Sequence, residues 1–140
     1  MRQLSVPVLA LVLLSCGVEQ STKAPYPSRV RQALSNDLVI SEVYGGGGSS
    51  SSAYRYDFIE LFNRGSAPVN LSGKSLQYGS ATGTNWVVTT LTGMVEPGRY
   101  FLVRMGSPGP SSTPNLSGFD GEGPTSLAAT GGKVALVSNT

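Results

Sequence analysis

The stretch DFIELFN, residues Asp57–Asn63, decides the fold of this chain. Its side chains divide into two alternating sets, as the opposite faces of a β-strand require. One set is Asp57, Ile59 and Leu61, and the other is Phe58, Glu60 and Phe62. The pattern predicts a strand over Tyr56–Phe62 that buries at least one of its faces.

Six further segments on either side of this stretch have the composition of strands. They are rich in β-branched and aromatic residues and are separated by Gly- and Pro-containing turns such as Pro97-Gly98. The segments are Leu38–Tyr44, Pro68–Leu71, Ser75–Tyr78, Asn85–Thr89, Tyr100–Arg104 and Lys133–Val137. Since no segment shows a period of 3.6 residues, the sequence predicts an all-β class, an antiparallel sandwich or barrel.

The predicted core is made of the apolar residues of these strands. They are Ile40, Val43, Ile59, Leu61, Val69, Leu71, Leu76, Trp86, Val88, Phe101, Val103, Val134 and Leu136.

The run GGGGSSSSA, residues Gly45–Ala53, allows three interpretations: a linker, a phosphate-binding loop or a turn inside one domain. Only one predicted strand precedes it, which is too little for a domain. No GxxxxGK[ST] motif opens a helix there, because Tyr54-Arg55-Tyr56 leads into a strand. We therefore expect an intradomain loop that is mobile and tolerates shortening.

Composition narrows the possible functions. The 140 residues include no His and one Cys, so the commonest general base and metal ligand is missing and an intramolecular disulfide cannot form. Without residues 1–15 the chain has nine basic and eight acidic residues. This balance makes nucleic-acid binding unlikely, and we predict no cofactor and no metal site.

The N-terminus resembles an export signal. Arg2 precedes an apolar region over Leu4–Leu14 that is too short to span a bilayer. Leu13-Leu14-Ser15-Cys16 resembles the lipobox of bacterial lipoproteins, which implies a signal peptide over residues 1–15 and lipidation of Cys16. The alternative is an ordinary signal peptide with an incidental Cys. We expect residues 16–36 to be a flexible tether, the membrane to be a partner through Cys16, and the protein to reside at the outer membrane or cell surface.

The order of motifs resembles the lamin-tail domain family. ISEVY (Ile40–Tyr44), DFIELFN, PVNLSGKSLQY (Pro68–Tyr78) and GGKVALV (Gly131–Val137) follow one another as in that family. The resemblance implies an immunoglobulin-like antiparallel β-sandwich over residues 37–140. It also implies structural roles for the motif residues Ile40, Glu42, Asp57, Ile59, Glu60, Leu61, Asn63, Leu71 and Gly73. Because such domains usually continue beyond this last motif, we expect the sheet to lack its last strand or strands, or the chain to be a fragment.

Acidic residues are the only candidates for catalysis. Glu42, Asp57 and Glu60 lie on two predicted strands that could be neighbours. A structural role is favoured, because no nucleophile or third ligand accompanies them. We expect Asp57 to accept backbone N–H groups at the strand entry and Glu60 to pair with Arg64 or Arg55. The acidic pair in FDGEG lacks the ligand spacing of an EF-hand and is interpreted as a turn.

Aromatic residues provide the remaining candidate site. Tyr78 and Trp86, with Tyr44 and Tyr100, could form a binding face for sugars or peptides, although Trp86 is more readily interpreted as core. We expect a non-enzymatic, lipid-anchored module that binds or tethers an envelope protein or carbohydrate. Two alternatives remain: the N-terminal part of a secreted nuclease or phosphoesterase, and a structural envelope protein that associates through sheet edges.

Overall fold

The computed structural model describes residues 37–138, and this part of the chain is all β. It contains nine strands: β1 Leu38–Tyr44, β2 Asp57–Asn63, β3 Val69–Asn70, β4 Ser75–Ser80, β5 Val87–Thr90, β6 Met94–Val95, β7 Tyr100–Met105, β8 Gly121–Gly123 and β9 Gly132–Val137. Among these residues no helix is long and apolar enough to cross a membrane.

The strands form two main sheets and one small ribbon. The larger sheet has the order β1-β2-β7-β8, the smaller has the order β5-β4-β9, and β3 pairs with β6. All pairs are antiparallel except β7 and β8, which are parallel. The core contains residues of both sheets, so the predicted immunoglobulin-like β-sandwich is confirmed.

Strand β2 occupies an interior position in the larger sheet and explains why DFIELFN decides the fold. Ile59 and Leu61 are completely buried, and Ile59 lies opposite Val103 of β7 while Leu61 lies opposite Phe101. The other set of β2 side chains faces the outer surface, where Phe62 packs on Tyr100 with ring centroids 4.7 Å apart. The side chains alternate between the two faces as predicted, although Phe58 on the outer face is only 6% exposed because the rings of Tyr44 and Tyr54 pack on it.

Strand β1 contains a bulge, which keeps Ile40 and Val43 in register with the inward residues Leu61 and Ile59 of β2. Ile40 lies opposite Leu61 and Glu42 lies opposite Glu60, so Ser41 is the extra residue. Its hydroxyl donates to the carboxylate of Glu60 at 2.7 Å.

Most of the predicted core is correct, but three residues of it are wrong. Six of the predicted residues are buried: Ile59, Leu61, Leu71, Leu76, Phe101 and Val103. Ile40, Val69, Val134 and Leu136 are partly buried against them. Val43, Trp86 and Val88 are exposed. Trp86 precedes β5 and Val88 lies within it, and this strand pairs on one side only, with β4.

The structure also corrects the number and bounds of the strands. The short strands β6 and β8 were not predicted, and β5 begins at Val87 rather than Asn85. Strand β8 is Gly121-Glu122-Gly123, which has too few side chains for an alternating pattern. The predicted turn at Pro97-Gly98 is confirmed: Gly98 has φ +70°, and the Arg99 N–H donates to the carbonyl oxygen of Glu96.

Candidate functional site

Asp57 joins the start of β2 to two loops. Its carboxylate is buried and accepts the N–H of Gly47 on Oδ1 and the N–H of Leu127 on Oδ2, both at 2.7 Å. Both oxygens are therefore engaged by backbone donors, as expected for a carboxylate at a strand entry. This geometry assigns Asp57 a structural role.

Asn63, at the other end of β2, also joins this strand to neighbouring segments through its side chain. Its side-chain amide donates to the carbonyl oxygens of Ala67 at 2.9 Å and Val95 at 2.8 Å, while its oxygen accepts the N–H of Gly65. The residue is completely buried. It fixes the turn that leaves β2 and holds that turn against β6, so the final residue of DFIELFN is structural as well.

Two other motif residues shape the turn after β3. Leu71 is fully buried, and its carbonyl oxygen accepts the N–H of Lys74. Gly73 has φ +77°, a backbone conformation that favours glycine. Leu71 is thus part of the core, and Gly73 allows the chain to turn before β4.

Gly45 and Gly47, in the run after β1, are fitted tightly against neighbouring backbone. The mobility and the tolerance of shortening that the sequence suggests for the run stay predictions. A Cβ on Gly47 would lie 2.5 Å from the backbone nitrogen of Asp57, and one on Gly45 would lie 2.9 Å from the carbonyl oxygen of Ala128. A Cβ on Gly109, in the loop after β7, would lie 2.6 Å from Cα of Gly48. Glycine is needed here for close backbone approach rather than for flexibility.

The serine half of the same loop is different. Ser49, Ser50 and Ser51 are exposed, and the recorded hydrogen bonds of this half include one from the Thr113 hydroxyl to the carbonyl oxygen of Ser49. The N–H groups of Ala53 and Tyr54 point to the hydroxyl of Tyr44 at 3.1 and 3.4 Å. The loop thus has a fitted glycine half and an exposed serine half.

The strands of Glu42 and Glu60 are neighbours, and the two residues lie opposite one another, but their surroundings are not those of an acid–base pair. Both face the outer surface of the larger sheet, where the hydroxyl of Ser41 donates to Glu60. Of the two predicted partners of Glu60, Arg55 instead donates from its guanidinium to the carbonyl oxygen of Gly109. The pairing with Arg64 stays a prediction. Within residues 37–138 no group of three or more His, Cys, Asp or Glu is placed to hold a metal ion.

Tyr78 and Trp86 do not form a common face. Tyr78 lies opposite Val87, so the preceding residue Trp86 belongs to the other face of the smaller sheet. The Tyr78 hydroxyl accepts the N–H of Ala128 at 2.9 Å, and its ring lines a cavity of about 270 Å³ beside Val43 and Val134.

Trp86 lies on the outer face of the smaller sheet with Lys133. A Cβ on Gly79 would lie 3.5 Å from atoms of both side chains, so the missing side chain of this residue gives them room over β4. The Lys133 Nζ lies 5.5 Å from the indole centroid and donates to the carbonyl oxygen of Gly83. The adjacent Val88 extends this surface, and 43% of Trp86 and 44% of Val88 are exposed.

Tyr44 and Tyr100 belong to the outer face of the larger sheet. Tyr44 stacks on Phe58 with centroids 5.1 Å apart. Near them, the Arg104 guanidinium lies over the ring of Tyr56 at 4.4 Å and over the ring of Phe119 at 3.9 Å, and it forms an ion pair with Glu122. Sequence reasoning missed this cluster, although the outward position of Arg104 in the alternating YFLVR segment was a usable signal.

The architecture defines the class of protein: an immunoglobulin-like β-sandwich domain. Residues 31–140 match the model of the Lamin Tail Domain family, and the chain belongs to that family. A comparison with curated proteins found no match. The candidate lipidation site, Cys16, lies outside the described residues.

Proposed function

We propose that this protein is a non-enzymatic binding or tethering module that is held at a bacterial cell envelope by a lipid on Cys16. Membership of a family of immunoglobulin-like domains supports a binding role. The N-terminal Leu13-Leu14-Ser15-Cys16 motif supports the anchor, since a lipidated Cys provides the apolar chains that stable tethering requires.

The surface of Trp86, Val88 and Lys133 is the observation that carries the binding role. A Trp and a Val that are each more than two-fifths exposed on one sheet face leave apolar area in water. Trp and Lys together offer an apolar ring, an indole N–H and a positive charge, which suits an envelope carbohydrate or protein. We expect this outer face of the smaller sheet to contact the ligand.

Binding is tested with the full chain against an array of envelope glycans and against envelope extract. Trp86→Ala is expected to abolish retention of whichever component binds. Tyr100→Ala is the matched control, because Tyr100 is an aromatic residue that is 59% exposed on the other sheet. Equal retention by both variants would contradict this assignment of the binding face.

The anchor is tested separately by labelling cells with radioactive palmitate. The wild-type chain is expected to take up label and to fractionate with membranes, and Cys16→Ala is expected to do neither. Label that persists in Cys16→Ala would contradict the lipidation site, because this is the only Cys in the chain.

Association through sheet edges is a second candidate function. Among the described strands, β1, β5, β8 and β9 lie at the ends of their sheets. Val43 of β1 is also exposed, which adds apolar area beside one of these edges. Sedimentation of the full chain is expected to show a concentration-dependent dimer, and a monomer at all concentrations would remove this candidate.

A further inference from the structure

Arg104 and Glu122 lie side by side on the outer face of the larger sheet. They are register partners on the parallel strands β7 and β8, and their side chains form an ion pair. Both neighbours of Arg104 in β7, Val103 and Met105, are buried, so Arg104 itself points away from the core. This places it on the opposite sheet from Trp86 and makes it independent of the binding face proposed above.

The guanidinium of Arg104 is held by two aromatic rings. It lies 4.4 Å from the centroid of Tyr56 and 3.9 Å from that of Phe119, both distances at which a cation is attracted to a ring. Stacking against rings leaves the N–H groups at the edge of the planar group available, and it reduces the rotamer freedom that binding would otherwise cost.

Both rings belong to segments that the backbone fixes. Arg55, which precedes Tyr56, donates its N–H to Pro114 and accepts the N–H of Gly109. Asp120, which follows Phe119, donates its N–H to Leu102 and accepts the Leu102 N–H on its carboxylate. The rings, and with them the guanidinium, are therefore pre-positioned by the fold.

Glu122 is the ion-pair partner of this guanidinium, and an incoming carboxylate can displace it. Its side chain is 57% exposed whereas that of Arg104 is 21% exposed. An ion pair with an exposed partner contributes little to stability, so an incoming carboxylate can replace Glu122 at small cost. A guanidinium has five N–H donors, and that of Arg104 pairs with the carboxylate of Glu122.

We propose that Arg104 is the receptor for a carboxylate on an acidic segment of a partner protein, with Glu122 as a built-in competitor. A side-chain carboxylate is the chemistry that the site already accepts. The guanidinium covers the faces of Tyr56 and Phe119 that are nearest to it, so a sugar ring cannot stack on those faces. A flexible acidic side chain needs only to reach the edge of the guanidinium. The ring of Tyr54, which is 40% exposed, contacts Phe58, the register partner of Arg104 on β2, and so adds an exposed aromatic surface beside the site.

The experiment follows the Arg side-chain Nε–H signals of the isotope-labelled full chain by NMR at low ionic strength. The probe is a blocked hexapeptide of glutamate, with the glutamine hexapeptide and sodium glucuronate as comparisons. We expect the glutamate peptide to shift the Arg104 signal in a saturable way, glucuronate to bind more weakly through its single carboxylate, and the glutamine peptide to leave the signal unchanged. Glucuronate binding as tightly as the peptide would overturn the assignment to a protein partner.

Variants show whether Glu122 competes. Glu122→Gln is expected to bind the glutamate peptide about two- to fivefold more tightly, the range that removal of an exposed ion pair allows. Arg104→Gln is expected to lose binding, while Arg99→Gln, at an exposed Arg elsewhere, retains it. If Arg104→Gln does not fold, Arg104→Lys keeps the charge but loses the planar fork, and binding weakened at least severalfold is then expected. Unchanged affinity in Glu122→Gln, or wild-type affinity in the Arg104 variant, would overturn the proposal.

Discussion

The buried carboxylate of Asp57 accepts a hydrogen bond of 2.7 Å from the backbone N–H of Leu127, a residue seventy positions later in the chain. The same carboxylate accepts the N–H of Gly47 from the loop after β1. One side chain thus joins strand β2 to the loop that precedes it and to the loop that precedes β9. Both hydrogen bonds are strengthened by the charge of the carboxylate.

Removal of this carboxylate is expected to destabilise the domain strongly. Asp57→Ala leaves the buried N–H of Leu127 and the partly buried N–H of Gly47 without acceptors. A buried unsatisfied N–H costs about 1–3 kcal/mol. Urea unfolding should show a loss of about 2–5 kcal/mol, whereas Glu96→Ala, at an exposed turn, should change the free energy of unfolding by less than about 0.5 kcal/mol. Equal midpoints for the two variants would contradict the role assigned to Asp57.

Asn63→Asp is expected to be pH-dependent in a way that wild type is not. The substituted carboxylate would face the carbonyl oxygens of Ala67 and Val95 in a fully buried place, which disfavours its charged form. Its pKa in the folded state is then raised above the unfolded value, so the penalty is present at neutral pH and is relieved as the pH falls through the raised pKa. Thermal melts of Asn63→Asp and wild type between neutral and mildly acidic pH measure this, and a constant difference between them would exclude it.

Two neighbouring glycines of the run, Gly47 and Gly48, should respond differently to an added methyl group. Gly47→Ala brings Cβ within 2.5 Å of backbone atoms and should destabilise by several kcal/mol or prevent folding. Gly48→Ala meets nothing within 4 Å and has only its φ of +88° against it, which costs about 1–2 kcal/mol. Gly131→Ala, with an ordinary contact and no positive φ, is the control and should be nearly neutral. Chemical denaturation of the three variants gives the order, and a Gly47→Ala variant as stable as Gly131→Ala would contradict the packing.

Trp86→Ala should cost much less than a core truncation. Ile59→Ala removes a fully buried side chain and should lose about 2–5 kcal/mol, whereas Trp86 is already 43% exposed and should lose less than about 2 kcal/mol. Since Trp86 is the only Trp, its fluorescence reports its surroundings directly. We expect emission at long wavelength and efficient quenching by acrylamide, and protection from acrylamide would indicate a buried ring.

The residue pattern predicted the strands that have apolar residues in the core. It failed to predict which side chains of β5 are exposed. Alternation located β2 correctly because Ile59 and Leu61 enter the core. The same reasoning placed Trp86 and Val88 in the core, because an apolar run alone does not show which of its side chains lie on the outer face of the sheet. Strand β8 escaped prediction since two of its three residues are glycine and its pairing with β7 depends on tertiary contacts.

The candidate site was predictable only where local chemistry decides. A carboxylate that precedes a buried strand suggested that Asp57 accepts backbone N–H groups, and it does. The cluster around Arg104 combines Tyr56, Phe119 and Glu122 from separate segments, and no local spacing connects them. Tyr78 and Trp86 were paired as aromatic residues, but strand parity places them on opposite faces of the sheet.

The loop Gly45–Ala53 has a practical consequence for anyone who modifies this protein. Its letters suggest a spacer of the kind that is inserted between fused proteins, and such a spacer is the usual place for a tag or a dye. Here an insertion between Gly45 and Gly48 would push apart backbones that already touch, whereas one between Ser50 and Ser51 would extend an exposed tip. A label at the serine tip therefore reports on a folded domain, and one three or four residues earlier would not.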